Sequence, residues 1–391
     1  MQTAPGLHLG IDASNIRYGG GVTHLSQLLA AGDPGDSGIA RVTVWACRST
    51  LAALPVRPWL FTRNPGWTEA ALPLRLAGQQ LALPRELASA GCDVMFSPGG
   101  TLPTHRALPA IAMSQNLLPF EPLEARRFGR LSGMRLKMRL LRHSQGRSFR
   151  YADGMIFLTR YAQSVVSRSL GSVLNPVALI PHGIEPRFLQ APRPQRAFAD
   201  FSSEHPFRVL YVSILMPYKH QTQVAVAASQ LRASGLPIEV RFVGAPWKDS
   251  GRRFRRLLDK LDPAQEFLLW SGAEPFDVLH RRYQTSDAFV FASSCENLPN
   301  ILIEAMAAGL PIACSDRGPM PEVLADAGVY FDPDQALSIA DALRTLAANA
   351  SLRANLSKAA WRRAQTYSWE RCARDTYAFI ARVAQAARLV R

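Results

Sequence analysis

Glu296-Asn-Leu-Pro-Asn-Ile-Leu-Ile-Glu304 joins an apolar run at residues 288–292 to a helix-forming run at residues 305–308. A strand-like run, a polar turn and a helix in that order mark the C-terminal end of a strand in an open α/β sheet, where ligands bind. Glu296 lies in the turn and Glu304 about one turn into the helix. Carboxylates so placed suit a ligand with hydroxyl groups at two places, as the sugar and the ribose of a nucleotide-sugar are. Pro299 falls near the first helical position, where its missing N–H costs nothing, and Asn297 and Asn300 suit the turn and its free amides. Taken alone, the two acids also fit a capping residue and a solvated one.

Outward from this stretch, strand and helix patterns alternate. In the first half, strand-like segments fall at residues 8–11, 42–46, 94–97, 110–113, 154–158 and 178–180, with helical stretches at 74–90 and 161–170 among them. Residues 191–206 begin Ala-Pro-Arg-Pro and stay polar, which reads as a linker. Beyond it, strands are expected at 208–212, 238–243, 266–270, 288–292, 311–314 and 329–331, with helices at 221–233, 252–261, 275–283 and 300–308. The tail from residue 336 is helical almost throughout. Such alternation predicts parallel sheets covered by helices. The boundaries are 1–190 for a first Rossmann-like domain, 191–206 for the linker, 207–366 for a second, and 367–391 for a final helix that can cross back to the first. The fold class is α/β, with two doubly wound domains facing each other, ligands between them, and a helical C-terminal tail.

Composition narrows the function. The 391 residues are 48% hydrophobic and 19% charged, an ordinary globular balance. Apolar runs stop well short of the roughly 20 residues that span a bilayer. Residues 1–9 lack the pattern of a signal peptide. Five scattered cysteines, Cys47, Cys92, Cys295, Cys314 and Cys372, have no metal-ligand spacing and read as buried thiols of a cytosolic protein. The net charge is +15, and residues 1–190 hold 20 of the 45 Lys and Arg against 10 of the 30 acids, hence +10. Residues 125–152 contain nine cations and no acid. There, Leu131, Met134, Met138 and Leu141 recur at helical spacing, flanked by Arg130 and Lys137 on one side and by Arg135, Arg139 and Arg142 on the other. That pattern predicts a helix lying in an anionic membrane surface with its basic chains reaching lipid phosphates; Leu136 and Leu140 point elsewhere, toward the protein. Aromatic stacking platforms are not interleaved, which argues against nucleic acid.

Three further turns repeat the strand–loop–helix design. Ser315-Asp-Arg-Gly-Pro-Met-Pro-Glu322 places Gly318, Pro319 and Met320 at a helix start, where backbone amides suit a diphosphate. Lys219 follows the first strand of the second domain and is placed to neutralise a leaving diphosphate. Gly19-Gly20-Gly21 permits close backbone approach to a sugar or phosphate, but it fits neither the dinucleotide fingerprint nor a P-loop. An ordinary glycine turn and a solvated lysine are the plain alternatives.

The span 293–332, Ser-Ser-Cys-Glu-Asn-Leu-Pro-Asn-Ile-Leu-Ile-Glu-Ala-Met-Ala-Ala-Gly-Leu-Pro-Ile-Ala-Cys-Ser-Asp and onward to Phe331-Asp332, resembles the donor-site signature of retaining GT-B glycosyltransferases of group 1, family four of their classification. The resemblance extends from Gly10-Ile-Asp-Ala-Ser-Asn-Ile-Arg17 through Ile180-Pro-His-Gly-Ile184 to the C-terminal helices. It implies that Glu296 contacts donor-sugar hydroxyls beside the reacting carbon and that Glu304 holds the ribose. Lys219 would stabilise the diphosphate, amides around Gly318, Pro319 and Met320 would help hold it, and Gly19, Gly20 and Gly21 would line the cleft. No metal and no cofactor are implied, since lysine and helix N-termini replace the cation. Two departures stand out. An arginine common five residues before the lysine is Ile214 here, and a His-Asp pair is Gln115-Asn116, of which Gln115 can hydrogen-bond a sugar hydroxyl but cannot be an acid or base.

The resemblance implies a cytoplasmic hexosyltransferase acting at the inner membrane face. It would move sugar from a UDP- or GDP-linked donor to a glycan or lipid-linked acceptor in surface polysaccharide or O-antigen synthesis. An epimerase or phosphorylase of the same fold, and a non-catalytic basic scaffold for membrane or nucleic acid, are the alternatives.

Overall fold

The computed structural model describes residues 6–129, 132–171 and 175–390. The chain divides into two compact units, Met1–Pro122 with Leu131–Gly183 and Ser368–Arg391, and Leu123–Arg130 with Ile184–Tyr367.

The first unit contains β1 (Leu7–Asp12), β2 (Ile39–Trp45), β3 (Leu60–Arg63), β4 (Val94–Ser97), β5 (Ala110–Met113), β6 (Gly154–Phe157) and β7 (Val177–Leu179). They form one sheet in the order β3-β2-β1-β4-β5-β6-β7, every pair parallel. β1, β4, β5 and β6 are buried along their whole length, because helices cover both faces and strands so placed need no polar alternation. The polar groups this buries are paired: His8 Nε2 meets Thr43 Oγ1 at 2.8 Å, and Asp12 accepts from the Ser14 hydroxyl at 2.6 Å and from Gln79 Nε2 at 2.5 Å. The last helix, Trp369–Val390, packs in this unit. Glycines admit it closely: a Cβ on Gly32 would stand 2.6 Å from the Ala373 Cβ, and one on Gly154 2.9 Å from Val383.

The second unit contains β8 (Phe207–Val212), β9 (Ile238–Val243), β10 (Leu268–Trp270), β11 (Ala288–Phe291), β12 (Ile312–Ser315) and β13 (Val329–Phe331), all parallel in the order β10-β9-β8-β11-β12-β13. Strand order reverses between β1 and β4 in one sheet and between β8 and β11 in the other, so each unit has a switch-point crevice beyond those strand ends. The Pro-rich stretch 191–206 lies inside the second unit. It is pinned by fully buried Arg353, which donates to Gln195 Oε1 at 3.1 Å, to the Arg196 carbonyl, and to the Leu346 and Ala347 carbonyls that end a helix.

Three local expectations are corrected. Residues 74–90 are two helices, Leu72–Leu81 and Leu83–Ser89, since Pro84 has no N–H to continue the first. β3 is an additional edge strand with mostly exposed side chains and no apolar pattern. Pro299 precedes the Asn300–Ala307 helix as its N-cap, and no side chain caps that helix. All five cysteines are buried and none is in a disulfide, and among the described residues no helix is long and apolar enough to cross a membrane.

Candidate active site

The loops after β8 and β11, on either side of the second switch point, carry Lys219 and Glu296. Buried Tyr211 on β8 donates its hydroxyl to the Lys219 carbonyl, which fixes the end of the first loop. His220 then turns left-handed, with φ 51°, and the Gln221–Ala233 helix begins. The second loop is tied to the first by Ser294 N, which donates to the Tyr218 carbonyl at 2.9 Å, and by His220 Nε2, 3.0 Å from Ser294 Oγ. Between these ties the Lys219 ammonium and the Glu296 carboxylate form an ion pair, their side chains 7% and 16% exposed. The ammonium also lies 5.3 Å from the Tyr218 ring centre and 5.6 Å from that of Phe291. Burial, and then the Glu296 charge, drives the Tyr218 phenol upward, so Tyr218 stays neutral.

Gly318 stands beside this pair. Its φ of 59° favours glycine, and a Cβ there would be 3.6 Å from the Ser294 carbonyl and 3.9 Å from Glu296 N. The turn offers fewer amides than the sequence suggests: Pro319 has no N–H, and Met320 N donates to the Arg317 carbonyl at 3.3 Å. Arg317 pairs with Asp332 at 3.0 Å. Ile214, at the position that lacks an arginine, is 39% exposed. Asn297 is buried in the loop, and Asn300 opens the helix half-buried.

Glu304 lies buried within that helix and accepts from the Tyr283 hydroxyl at 2.9 Å. Desolvation pushes its carboxyl up to about 7, against a smaller downward pull from the Tyr283 hydrogen bond; Glu185 raises it further and Arg187 opposes this. The two acids that frame the opening motif thus have opposite settings, Glu296 against a cation and Glu304 against a phenol.

In the first unit, the glycine loop and Gln115 come together. Gly19 has φ 67°, Gly20 and Gly21 open the Gly20–Ala31 helix, and a Cβ on Gly21 would stand 3.6 Å from Gln115 Oε1. Gln115 Nε2 is 2.8 Å from His24 Nδ1 and so donates to it. Burial and neighbouring His182 hold His24 far below the ordinary imidazole range, hence neutral. The His24 and His182 rings stack at 4.6 Å, and His182 stacks on Trp369 at 5.4 Å. Asn116 Oδ1 accepts from Leu118 N at 3.2 Å and serves the turn.

Sequence reasoning gave no part to His24, His182 or Tyr283, and gave residues 123–129 no part in the site. That segment packs in the second unit on the loops just described. Glu124 accepts from Ser294 Oγ at 2.5 Å, Arg127 forks onto Asp334 at 2.8 and 2.9 Å, and the Phe128 ring meets Trp247 edge-on at 5.1 Å. Only the position of His182 within the quoted Ile180–Ile184 motif could have flagged any of them.

The expected membrane stripe is corrected. On the Gly133–Tyr151 helix, Met138 is buried and Met134 and Leu141 are half-buried, whereas Leu136 and Leu140 are 60% and 63% exposed. Lys137 and Arg139 are exposed, and Arg135 and Arg142 are half-buried; Arg130 and Leu131 lie outside the described residues. Met138 on this helix is turned into the protein, which leaves Leu136 and Leu140 outward.

Two doubly wound parallel sheets and a helical tail make a GT-B fold. Residues 194–363 match the family model of glycosyl transferases group 1. The chain is similar to the O-antigen chain mannosyltransferase B of Escherichia coli, 29% identical over 110 residues, which are 28% of this chain and 29% of that protein. The matches span at most 35% of the length of the curated relatives. The fold is similar over its whole length to that of the sucrose-phosphate synthase of Thermosynechococcus elongatus, with TM-score 0.71 and 18% identity over 98% of this chain and 99% of that one. Anabaena HepE in complex with UDP-glucose matches with TM-score 0.67 and 16% identity over 98% of this chain and all of that one.

Proposed function

We propose that the chain is a retaining, metal-independent glycosyltransferase that takes a UDP- or GDP-linked sugar. Its acceptor is a glycan or lipid-linked glycan of surface polysaccharide or O-antigen synthesis. The Lys219–Glu296 pair beside Gly318 carries this reading. On donor binding the two partners part: the ammonium turns to the diphosphate and the carboxylate to the sugar hydroxyls beside the reacting carbon. The acceptor hydroxyl attacks the anomeric carbon on the face the diphosphate leaves. As the bond from carbon to diphosphate oxygen breaks, that oxygen takes the acceptor's proton. A positioned cation of this kind stabilises the charge that develops on the leaving group. Glu304 accepts from the ribose hydroxyls, and the first unit, with Gly19, Gly20, Gly21, Gln115 and Asn116, receives the acceptor. With Ile214 in place of a cation, Lys219 bears more of the diphosphate charge. The E. coli relative, an O-antigen chain enzyme, and the UDP-glucose complex of HepE support the acceptor class and the donor class. A lipid-linked acceptor would bring the chain to the cytoplasmic membrane face.

A thermal-shift series with UDP, GDP and ADP tests the donor class. Ligand at 100 times its Kd stabilises the fold by about 2.7 kcal/mol, so UDP or GDP is expected to raise Tm by several degrees and ADP by less. A flat response to all three would remove the donor assignment.

A further inference from the structure

The C-terminal ends of β1, β2 and β3 gather cations that the proposed chemistry does not use. The segments that leave these strands, residues 13–19, 46–52 and 64–81, contain Arg17, Arg48 and Arg75 and a single acid, Glu69. That acid is already engaged, since Glu69 accepts from Arg48 N at 2.7 Å and from Asn64 Nδ2 at 2.9 Å. Arg17, in the loop after β1, donates to the Thr68 carbonyl. Arg75, in the Leu72–Leu81 helix, donates to the Ala70 carbonyl at 3.1 Å and to Asn15 Oδ1 at 2.9 Å. The frame they grip is firmly tied. Thr68 is fully buried with its hydroxyl on the Pro65 carbonyl at 2.8 Å, and the ring of Trp67 lies where a Cβ on Gly78 would meet it at 2.6 Å. Behind them, buried Gln79 donates to Asp12 and accepts from Asn15 Nδ2 at 3.4 Å, so the loop and the helix that carry the two arginines hold each other.

These bonds use only part of each guanidinium. Among the described residues neither arginine forms an ion pair, Arg17 Nη1 and Arg75 Nη2 have no partner, and Arg17 Nε is buried with none. Both side chains are half-buried, and burial followed by the Arg17 charge holds the Arg75 guanidinium below its ordinary range. Two like charges held together out of water without a counter-ion disfavour their own ionised state, and an anion bound by both removes that penalty. Arginine takes phosphate or carboxylate through a two-pronged fork. One fork already fills the two oxygens of a carboxylate. A phosphate monoester has three acceptor oxygens and carries about −1.5 to −2 charge at neutral pH, so it suits two guanidiniums. The place fits an acceptor as well: Arg17 stands two residues before Gly19, on the same edge of the sheet as the glycine loop.

We infer that Arg17 and Arg75 form a binding site for a phosphate group carried by the acceptor, set beside the glycine loop. The inference rests on the acceptor reading of that loop for its purpose but not for its test. Glucose 1-phosphate, farnesyl diphosphate, glucose and glucuronate are titrated by calorimetry into the full-length chain. Glucose 1-phosphate is expected to bind and glucose not to. Glucuronate binding as tightly as glucose 1-phosphate would overturn the choice of phosphate. Arg17→Gln and Arg75→Gln should each weaken glucose 1-phosphate by about 10-fold, since a hydrogen bond to a charged group contributes at least that much. Unchanged affinity in both variants, with circular dichroism melts showing them folded, would overturn the site. Arginine modification by phenylglyoxal, mapped by mass spectrometry, reads the wild-type chain directly. Glucose 1-phosphate should slow it at Arg17 and Arg75, and equal rates with and without the ligand would also overturn the site. Farnesyl diphosphate binding more tightly than glucose 1-phosphate would assign the phosphate to a lipid-linked acceptor, and weaker binding to a soluble sugar phosphate; either supports the site. A missing nucleotide response with intact glucose 1-phosphate binding would strike the donor assignment and leave this site standing.

Discussion

Lys219→Ala is expected to lower the rate of sugar transfer by roughly 10²–10³-fold, the loss typical when one preorganised charge-stabilising group is removed. Glu296→Ala should fall in the same range. The physical reason is the arrangement of the pair. A lysine with 7% side-chain exposure is already desolvated and already held, by its own carbonyl through Tyr211 and by Glu296 through its ammonium. On the proposed mechanism, moving from the carboxylate to a diphosphate would exchange one anion for another without the cost of stripping water from the cation. With position 214 apolar, that one ammonium stands where two cations commonly act, so its removal cannot be shared out. The two substitutions should also be far from additive, because residues of one paired unit couple strongly. Transfer to acceptor, measured for both single variants and the double variant with a labelled donor, checks this. Near-wild-type transfer by both single variants would remove Lys219 and Glu296 from the chemistry.

Much of this site could be read in the sequence because it lies where secondary structure changes. A strand, a short turn and a helix start leave little freedom, so the loops that carry Glu296, Gly318 and Lys219 were legible from local pattern, while a part for them in donor binding came from the family resemblance. The pairing of Lys219 with Glu296 was not legible, since it depends on β8 and β11 lying side by side although 77 residues separate the two partners. Tyr283 was hidden for the same reason: it reaches Glu304 from a different helix. The membrane stripe shows the opposite failure. Helical periodicity finds an apolar face correctly but cannot say which of two apolar faces meets the sheet. Met134, Met138 and Leu141 read as a surface stripe and Leu136 and Leu140 as inward; the burial of Met138 and the exposure of both leucines reverse this. Leu123–Arg130 was hidden more deeply. Its sequence, Leu-Glu-Ala-Arg-Arg-Phe-Gly-Arg, reads as the start of a basic helix, yet residues 123–129 pack on loops 90 or more residues further along.

Glu304→Gln should stabilise the ligand-free protein at about pH 8 by roughly 3 kcal/mol, and the gain should vanish toward about pH 4.5. The carboxyl has its ordinary value of 4.5 in the unfolded chain and about 7 in the fold, where burial opposes its ionised form. The folded state therefore holds the proton more tightly. Above about pH 7 the fold must keep a buried carboxylate ionised, and the penalty is fully present. As the pH falls from 7 to 4.5 the folded carboxyl protonates first and stability is regained, at about 1.4 kcal/mol per unit of displacement. Glutamine is neutral throughout and keeps the oxygen that accepts from Tyr283, so melting curves of the variant should lack this slope. Nucleotide binding should respond in the reverse sense. Ribose hydroxyls donate best to an ionised carboxylate, so UDP affinity of the wild-type chain should rise as the pH passes upward through 7, and that of Glu304→Gln should be weaker and flat. Calorimetric titrations at several pH values would separate the two roles. A variant that melts like the wild type at both ends of the range would show that Glu304 is better solvated than its burial implies, and unchanged nucleotide affinity would take the ribose away from it. Both effects together describe a carboxylate whose ionised form the empty fold disfavours and the nucleotide restores, so that part of the donor's binding energy goes into drawing off the Glu304 proton.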